Sequence, residues 1–388
     1  MTTVALRGAR LSLAAILSAC VAYGIGMGLT LPLLSLILER MGEPGSMNGL
    51  NLATAGLASL LVTPHMPRIM ARLGAAEFLA LALVVAAGAL LAMYFVPNLW
   101  LWFPVRFVLS SALNALFVVT EFWINRLADE SHRGRYVALY TVCLAGSYGI
   151  GPTLLQAIGT RGIAPFAAGA GLLLAALGPI LLARRMAPRI EQSSTASVFS
   201  VLRAAPAVFA AACVFGAIDA GMAGLIPVYA VRSGYTEAHA ALCVSAIALG
   251  SIVFIYPLGA LADRYDRRML LVLCAVSGIA GAVLAPFAVG TPPLFYFLLV
   301  LWGGLILGIY SIGLTMLGER FQGATLASAN AGFVLLYCLG LLLGPASEGV
   351  ALDAWNPHGL MVVLGAICAG YVVWLLRSQP ASKGAIYG

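Results

Sequence analysis

Long apolar stretches recur from one end of the chain to the other, and they limit what it can fold into more than any other feature. A helix needs roughly 20 apolar residues to cross the hydrocarbon core of a bilayer. These stretches are apolar on every side, whereas the strands of a membrane barrel alternate between apolar and polar residues. The sequence therefore predicts an all-α integral membrane protein with twelve transmembrane helices. The predicted spans are residues 11–38, 47–67, 75–96, 99–125, 136–158, 163–183, 205–231, 238–261, 269–289, 293–317, 325–347 and 359–376.

The scarcity of charge indicates the same class of protein. Of the 388 residues, 62% are hydrophobic and 9% are charged. Soluble domains carry roughly 25% charged residues. This composition therefore excludes an ordinary soluble globular protein.

The few charges that are present predict the orientation of the chain. The formal net charge is +7, and most of the 21 Lys and Arg residues fall in the tails or in loops on one side of the predicted spans. Arg40, Arg161 and Arg232 fall in loops on the other side, and Arg106 falls within a span. Cytoplasmic loops are enriched in Lys and Arg. We therefore expect a multi-pass protein of the bacterial inner membrane with both termini in the cytoplasm and no nucleic-acid partner.

A polar, Ser-rich stretch interrupts the series of spans after the sixth. It predicts an N-terminal six-helix bundle over residues 1–186, a cytoplasmic linker over 187–202 and a C-terminal six-helix bundle over 203–388. Two bundles of equal size are the usual build of secondary transporters, which bind substrate between the halves near the midplane of the bilayer.

The two halves also look like sequence repeats. Gly151-Pro152 in span 5 recurs 193 positions later as Gly344-Pro345 in span 11. Pro32 in span 1 likewise corresponds to Pro227 in span 7. A proline inside a helix removes one backbone hydrogen bond and bends the helix. We therefore expect Pro32 and Pro227 to act as hinges in spans 1 and 7.

Three charged residues lie deep within predicted spans, where each costs roughly 2.5–3.5 kcal/mol and marks a functional site by default. Arg106 and Glu121 share one face of span 4 with Ser110 and Asn114, and an arc of about 80° holds all four at 100° per residue. This face is expected to line a cavity. The alternative is that Glu121 pairs with Arg126 or a neighbouring helix and only stabilises the fold.

Asp219 is the third buried charge, near the middle of span 7. A carboxyl group in a dry cavity binds a proton more readily than one in water, so it can take up and release a proton near neutral pH. Asp219, with Glu121 and Arg106, is therefore predicted to couple transport to protons. The alternatives for Asp219 are binding of another cation and pairing with Arg106.

Aromatic and polar side chains in the spans form the candidate substrate cavity. They would suit an amphipathic organic molecule by stacking and hydrogen bonding, although each could instead pack between helices or lie at the membrane interface. These residues are Tyr23, Asn114, Tyr140, Ser147, Tyr148, Met222, Tyr256, Tyr310, Asn330 and Tyr337.

One loop carries the most specific resemblance to a known family. The segment Gly259-Ala260-Leu261-Ala262-Asp263-Arg264-Tyr265-Asp266-Arg267-Arg268 resembles the loop motif of the major facilitator superfamily, with Asp266 where glycine is usual. Arg106 and Gly151-Pro152 also resemble features of that family. The resemblance implies a monomeric transporter in which Asp263 faces the start of span 5, near residues 132–135, and latches the cytoplasmic side. The predicted latch residues are Gly259, Asp263, Arg264, Arg267 and Arg268. The alternative is a solvated cluster of charges that only orients the chain in the membrane.

Two further stretches, residues 119–123 and 310–321, resemble a little-characterised bacterial branch of the superfamily, to which copper and riboflavin importers are similar. The copper importers carry Met-x-x-x-Met in span 7, whereas here Met222 is followed four positions later by Ile226. The next soft ligands are His239 and Cys243. A copper importer is therefore the alternative function within transport.

Known nucleotide-binding and hydrolytic motifs are missing from the sequence, so transport is expected to run on ion gradients rather than on ATP. The predicted function is a secondary active transporter that moves a small organic molecule by alternating access, coupled to protons as a symporter or antiporter. It is not expected to be an enzyme, and no cofactor or resident metal is expected. Its expected partners are the substrate, protons and membrane lipid. A transport-inactive membrane receptor is the alternative from another class.

Overall fold

The computed structural model describes residues 3–127, 133–188, 202 and 205–377, and almost all of them are helical. The helices are α1 (Thr3–Arg40), α2 (Gly45–Val62), α3 (Met66–Leu73), α4 (Ala75–Phe95), α5 (Leu99–Leu127), α6 (Arg133–Ile158), α7 (Ala164–Ala175), α8 (Leu177–Ala183), α9 (Pro206–Arg232), α10 (Glu237–Arg264), α11 (Arg267–Ala288), α12 (Pro292–Arg320), α13 (Gly323–Ala354) and α14 (Gly359–Arg377), with 3₁₀ turns at Thr63–His65 and Arg184–Met186.

These helices account for all twelve predicted spans. Within the described ranges, ten stretches are long and apolar enough to cross a membrane. The other two spans correspond to α2 with α3, and to α6. The predicted fold class is therefore confirmed: the chain is an all-α integral membrane protein of twelve transmembrane helices in two six-helix bundles.

Proline lies inside several spans without ending the helix. Pro32 lies within α1 and Pro227 within α9, and both residues are buried. Helices in apolar surroundings tolerate proline because neighbouring groups can satisfy the freed carbonyl. The expected role of these two prolines as hinges stays a prediction.

The repeated glycines lie where helices touch backbone to backbone. A Cβ atom on Gly151 of α6 would overlap the backbone of α1 at Gly28 and Leu29. A Cβ atom on Gly344 of α13 would overlap the backbone of α9 at Ala217. Small residues let membrane helices approach closely and gain van der Waals contact. The repeat in the sequence is thus a repeat of two equivalent helix contacts.

The contacts divide the chain into two compact units. One unit comprises Met1–Leu34 and Leu57–Gln192, and the other comprises Ser35–Gly56 and Ser193–Gly388. The second unit therefore includes the end of α1 and most of α2. The predicted division at 187–202 stays a prediction, and most of that linker lies outside the described residues.

Within the second unit, ion pairs bind the end of α1 to α9 and α10. The Nε and Nη2 atoms of Arg232 donate to the two carboxylate oxygens of Glu39, each at 2.8 Å. Arg232 also donates to the Asn356 side chain at 3.2 Å. Arg40 forms a second pair with Glu237. Two of the three loop arginines that the charge pattern assigned to the same side of the membrane, Arg40 and Arg232, are therefore paired with carboxylates.

The beginning of α2 is fixed to the end of α13. Asp353 accepts hydrogen bonds from the backbone amides of Gly45 and Ser46, at 2.5 and 2.8 Å. These amides are the first of α2, which have no partner within the helix, and the positive end of the helix dipole favours a carboxylate there. A Cβ atom on Gly49 would overlap the carbonyl of Pro345, so the two helices touch below this cap. We call this arrangement of residues 45–56 against α13 the α2 contact.

Candidate functional site

Four side chains around the middle of α9 form what we call the aromatic–carboxylate cluster: Asp219, Phe215, Tyr310 and Tyr337. The Tyr337 hydroxyl of α13 donates a hydrogen bond to the Asp219 carboxylate at 2.9 Å. The Phe215 ring lies 5.2 Å from the Tyr310 ring and 6.0 Å from the Tyr337 ring, and the two tyrosine rings are 5.8 Å apart. Three helices, α9, α12 and α13, thus bring a carboxylate and three aromatic rings together.

A hydrophobic core supports this cluster. Tyr310 and Tyr337 pack against buried residues that include Phe209 and Phe333, and the Tyr310 and Phe333 rings are 5.2 Å apart. All four members of the cluster remain partly accessible. Their rings offer faces for stacking or for a cation, and Asp219 offers an acceptor for a hydrogen bond or a charge. The arrangement can therefore bind the aromatic or cationic part of an organic molecule.

Asp219, Tyr310 and Tyr337 were among the residues singled out in the sequence, whereas Phe215 was missed. Phe215 lies four residues before Asp219, which places the two side chains on the same face of α9. The spacing of four residues from Asp219 is the sequence feature that indicates Phe215 as a neighbour of this site.

The first unit contains a related group of aromatic residues. The Tyr23 and Phe117 rings are 5.4 Å apart, and the Tyr140 hydroxyl lies 3.2 Å from the Thr120 hydroxyl. Glu121 lies close enough to Tyr140 to interact with it electrostatically. Phe117 is 193 positions before Tyr310 in the chain, and Tyr140 is 193 positions before Phe333. These two aromatic positions therefore follow the internal repeat, but the carboxylates Glu121 and Asp219 do not.

The polar stripe predicted on span 4 has members in different surroundings. Arg106 is 1% exposed, and its Nε and Nη1 atoms have no hydrogen-bond partner. Ser110 is buried as well, while Asn114 donates to the Thr63 hydroxyl at 2.7 Å. Glu121 is exposed at the other end of the stripe. Of these four residues, Arg106 is the one whose buried side-chain nitrogen atoms, Nε and Nη1, have no hydrogen-bond partner.

The alternative role for Glu121, a structural ion pair with Arg126, has no support among the described contacts. The Arg126 guanidinium lies over the Phe122 ring, 5.7 Å from its centroid. The Asn125 side chain donates to the backbone carbonyl of Glu121 rather than to its carboxylate. Whether Glu121 takes part in coupling stays a prediction.

The remaining predicted cavity residues lie in varied surroundings. Ser147 is buried against α1, where a Cβ atom on Gly24 would overlap its side chain. Met222 is 2% exposed, whereas Tyr256 is 82% exposed. Two others complete the set, with Tyr148 half-buried on α6 and Asn330 exposed on α13.

The structure contains one buried carboxyl group, Glu348, that the sequence did not indicate. Span 11 was predicted to end at residue 347, but α13 continues to Ala354 and therefore includes Glu348. Glu348 is completely buried, and neither of its carboxylate oxygens has a hydrogen-bond partner. Glu121 and Asp219 are thus not the only acids within the spans. The prediction was wrong because the predicted apolar span ends at residue 347, one position before Glu348, while the helix continues through it.

The loop motif between α10 and α11 makes several contacts of its own. Asp266 caps α11 by accepting a hydrogen bond from the Met269 amide at 2.8 Å. The carboxylate thus has a structural role at the position where the motif usually has glycine. Arg267 forms an ion pair with Glu319. Arg268 donates to the Leu375 carbonyl.

The latch itself stays a prediction. The other predicted latch residues, Gly259, Asp263 and Arg264, are exposed. Residues 132–135, the expected partners of Asp263, lie outside the part of the chain whose side chains the structure describes.

The soft ligands considered for copper do not form a recognisable metal site. Met222 and Cys243 are buried, whereas His239 is exposed, and its ring nitrogen Nδ1 lies 2.8 Å from the Thr236 hydroxyl. Among the described residues, no group of three or more His, Cys, Asp or Glu could hold a metal ion. The described geometry therefore gives the copper alternative no support.

Comparisons with known proteins give a consistent result. The sequence model of the Major Facilitator Superfamily matches residues 15–248 and 234–386. An uncharacterised MFS-type transporter of Bacillus subtilis, YfkF, is 24% identical over 371 residues, which cover 92% of this chain and 93% of that protein. An uncharacterised MFS-type transporter of Escherichia coli, YcaD, is 23% identical over 327 residues, or 84% of each chain.

Solved transporter structures share the fold. The nucleoside transporter NupG aligns with a TM-score of 0.75 and 17% identity, over 95% of this chain and 100% of that one. A bacterial homologue of the human lysosomal transporter Spinster aligns with a TM-score of 0.73 and 12% identity, over 95% of this chain and 96% of that one. At these identities the likeness concerns the fold alone.

Proposed function

We propose that this chain, which belongs to the Major Facilitator Superfamily, is a secondary active transporter that moves a small organic molecule across the bacterial inner membrane by alternating access. The aromatic–carboxylate cluster is the observation that carries the proposal. A charged carboxylate inside a membrane span destabilises the fold relative to an apolar side chain, so its presence marks a functional position.

The chemistry of this cluster supports an organic substrate with an aromatic or cationic group. Three ring faces provide stacking surfaces, and the Asp219 carboxylate provides one strong acceptor that Tyr337 holds in place. Glu121, Tyr23 and Tyr140 form the corresponding candidate surface in the first unit.

Proton coupling is proposed at Asp219, with Glu121 and Arg106 as further candidates. Asp219 is partly accessible and holds one hydrogen bond from Tyr337, so its carboxylate is available to bind a proton or a cationic group. A proton-loaded Asp219 would lose its attraction for a cationic group and keep its hydrogen bond with Tyr337. Substrate and proton binding at one position would therefore affect each other, which is the requirement for coupled transport.

The orientation is proposed on independent grounds. The asymmetry of basic residues favours cytoplasmic termini, and the bacterial relatives favour the inner membrane as the location. We propose further that the protein works as a monomer, that Pro32 and Pro227 allow α1 and α9 to bend, and that the loop motif around Asp263 holds the cytoplasmic side closed.

The experiment begins with purified protein and a panel of vitamins, nucleosides, amino acids and organic cations. A ligand that binds only the native state raises its thermal stability by mass action, so the panel is screened at pH 6 and pH 8. Each hit is then tested for uptake into proteoliposomes with a pH gradient of either sign. Accumulation with protons flowing in the same direction indicates symport, and accumulation against them indicates antiport.

Two variants assign that transport to the cluster. Asp219→Asn is expected to abolish accumulation driven by the gradient, while Glu77→Gln, which changes an exposed acid on α4, leaves it intact. Tyr337→Phe removes a hydrogen bond to a charged group worth about 1.5–3 kcal/mol, and a loss of about tenfold or more in apparent affinity is expected. Gradient-driven uptake that survives in Asp219→Asn would contradict the proposal.

A further inference from the structure

Glu348 is a completely buried acid in the second unit, and the aromatic–carboxylate cluster does not use it. It is completely buried, and both carboxylate oxygens lack a hydrogen-bond partner. An ionised carboxylate without a partner is far more expensive to bury than a neutral carboxyl group. The side chain therefore fits its surroundings only when it carries a proton.

The neighbouring helix is shaped to accept this carboxyl group. One oxygen of Glu348 occupies the place that a Cβ atom on Gly221 would take, so α9 has a glycine at the point where α13 places the carboxyl. Any larger residue at Gly221 would displace Glu348 or separate the helices. The fit places the acid within the α9–α13 contact rather than towards lipid.

The internal repeat indicates that packing alone does not require an acid here. The alignment of Gly151-Pro152 with Gly344-Pro345 makes Leu155 the counterpart of Glu348. Leu155 is also completely buried. The same position in the other half is therefore filled by an ordinary apolar side chain, and the carboxyl group at 348 has a purpose beyond filling space.

The groups around Glu348 offer it no compensating positive charge. From α14, Cys368 lies close enough to interact with its charge. From α9, the residue that faces it is Gly221, which has no titratable side chain. The segment Gly45–Val62 carries no acidic or basic side chain. None of these described contacts supplies a positive charge to Glu348.

Glu348 and the aromatic–carboxylate cluster share one helix contact. Tyr337 and Glu348 are eleven residues apart, which puts them on the same face of α13 at a separation of roughly 16 Å along the helix. Both face α9, through Asp219 and through Gly221. A movement of α9 against α13 would therefore alter the two positions together.

The end of α13 is also held by the α2 contact. Gly349, the next residue, touches the backbone of α2 at Gly45 and Gly49, and Asp353 caps the same helix. Water can reach Glu348 only if helices packed around the end of α13 separate.

We propose that Glu348 is a proton-binding site, loaded and sealed between α9, α13 and α14 in the conformation described. The proton would be exchanged when the α9–α13 contact opens. This inference deepens the proposed function, because it assigns a proton site that acts together with the aromatic–carboxylate cluster, but the presence of the proton can be tested without any transport.

Infrared spectroscopy of the purified full-length protein is the decisive experiment. A protonated carboxyl group has a carbonyl stretch that an ionised carboxylate lacks. At pH 7 the wild-type protein is expected to show this band and Glu348→Gln to lose it, while Glu77→Gln retains it. After transfer to D₂O, the shift of the band should be slow, because the site is sealed. An unchanged band in Glu348→Gln, or no band in the wild type, would overturn the inference.

A second variant covers the case in which Glu348→Gln does not fold. Glu348→Asp keeps the carboxyl group but moves it away from Gly221, so the frequency of the band is expected to shift. A band at the wild-type frequency in Glu348→Asp would show that it arises elsewhere and would overturn the inference.

The role in transport has its own readout, once the substrate screen has identified a compound. Glu348→Gln is expected to exchange this compound across the membrane but to lose accumulation driven by a pH gradient. Full accumulation by this variant would overturn the coupling role. If the wild-type protein shows the band but no gradient-driven transport, the proposed function fails while the proton site at Glu348 stands.

Discussion

The Glu39–Arg232 pair allows a quantitative test of how α1 is bound to α9. Two N–H···O bonds of 2.8 Å join the guanidinium and the carboxylate, whose side chains are 13% and 17% exposed. A hydrogen bond to a charged group contributes about 1.5–3 kcal/mol. Residual contact with solvent and lost side-chain freedom make the contribution of the two hydrogen bonds together smaller than the sum of two such values. We therefore expect a coupling energy of about 2–3 kcal/mol, above the range of about 0–1 kcal/mol for exposed pairs.

The assay is a double-mutant cycle with Glu39→Gln, Arg232→Gln and the double variant. Free energies of unfolding are measured at equilibrium in mixed micelles of a mild detergent and SDS. Each single variant leaves one partly buried charge without its partner. The sum of the unfolding free energies lost in the two single variants is therefore expected to exceed the loss in the double variant.

The Arg40–Glu237 pair is the matched control. It joins neighbouring elements with the same residue types, but its side chains are 29% and 24% exposed. Its coupling energy is expected to stay below about 1 kcal/mol. Equal coupling energies for the two pairs, or a value below about 1 kcal/mol for Glu39–Arg232, would refute the argument that burial sets the strength of these contacts.

Three further predictions concern backbone contacts and a helix cap. Gly221→Ala forces a methyl group into the space of the Glu348 carboxyl and is expected to cost about 1–3 kcal/mol, and adding Glu348→Ala should restore much of the unfolding free energy lost. Gly49→Ala is expected to weaken the α2 contact and speed hydrogen exchange in that helix, whereas Gly88→Ala, where a Cβ meets nothing within 4 Å, should leave stability equal or higher. Asp266→Ala removes a helix cap and should lower the unfolding free energy by about 1 kcal/mol, with Asp266→Asn losing less.

The spans were predictable because the bilayer imposes a simple physical rule. A backbone in hydrocarbon must satisfy its own hydrogen bonds, so long apolar stretches become helices whatever they later pack against. The predicted start of α4 coincides with the observed helix, and its predicted end differs by one residue. The interruption of span 2 at Thr63–His65 was not predicted, because local turns depend on packing that hydropathy does not measure.

The candidate site was predictable in part, for the same reason. A charge is conspicuous in an apolar span, so Asp219, Glu121 and Arg106 could be identified without a structure. Their partners could not, because Tyr337 lies 118 positions after Asp219 and only the packing of α9 on α13 brings the two within 2.9 Å. Glu348 was missed because it lies near the end of its span, where hydropathy cannot distinguish a buried acid from a loop residue.

The sequence by itself determined the class of protein, the number of spans and the internal repeat, since each follows from the length and spacing of apolar stretches. Only the tertiary structure decided which polar residues meet. It placed Tyr337 against Asp219 and Phe215, joined Glu39 to Arg232, and enclosed Glu348 over Gly221. The physical reason is that hydropathy governs whether a helix enters the membrane, while the fit of glycines against side chains from distant helices governs what each helix faces there.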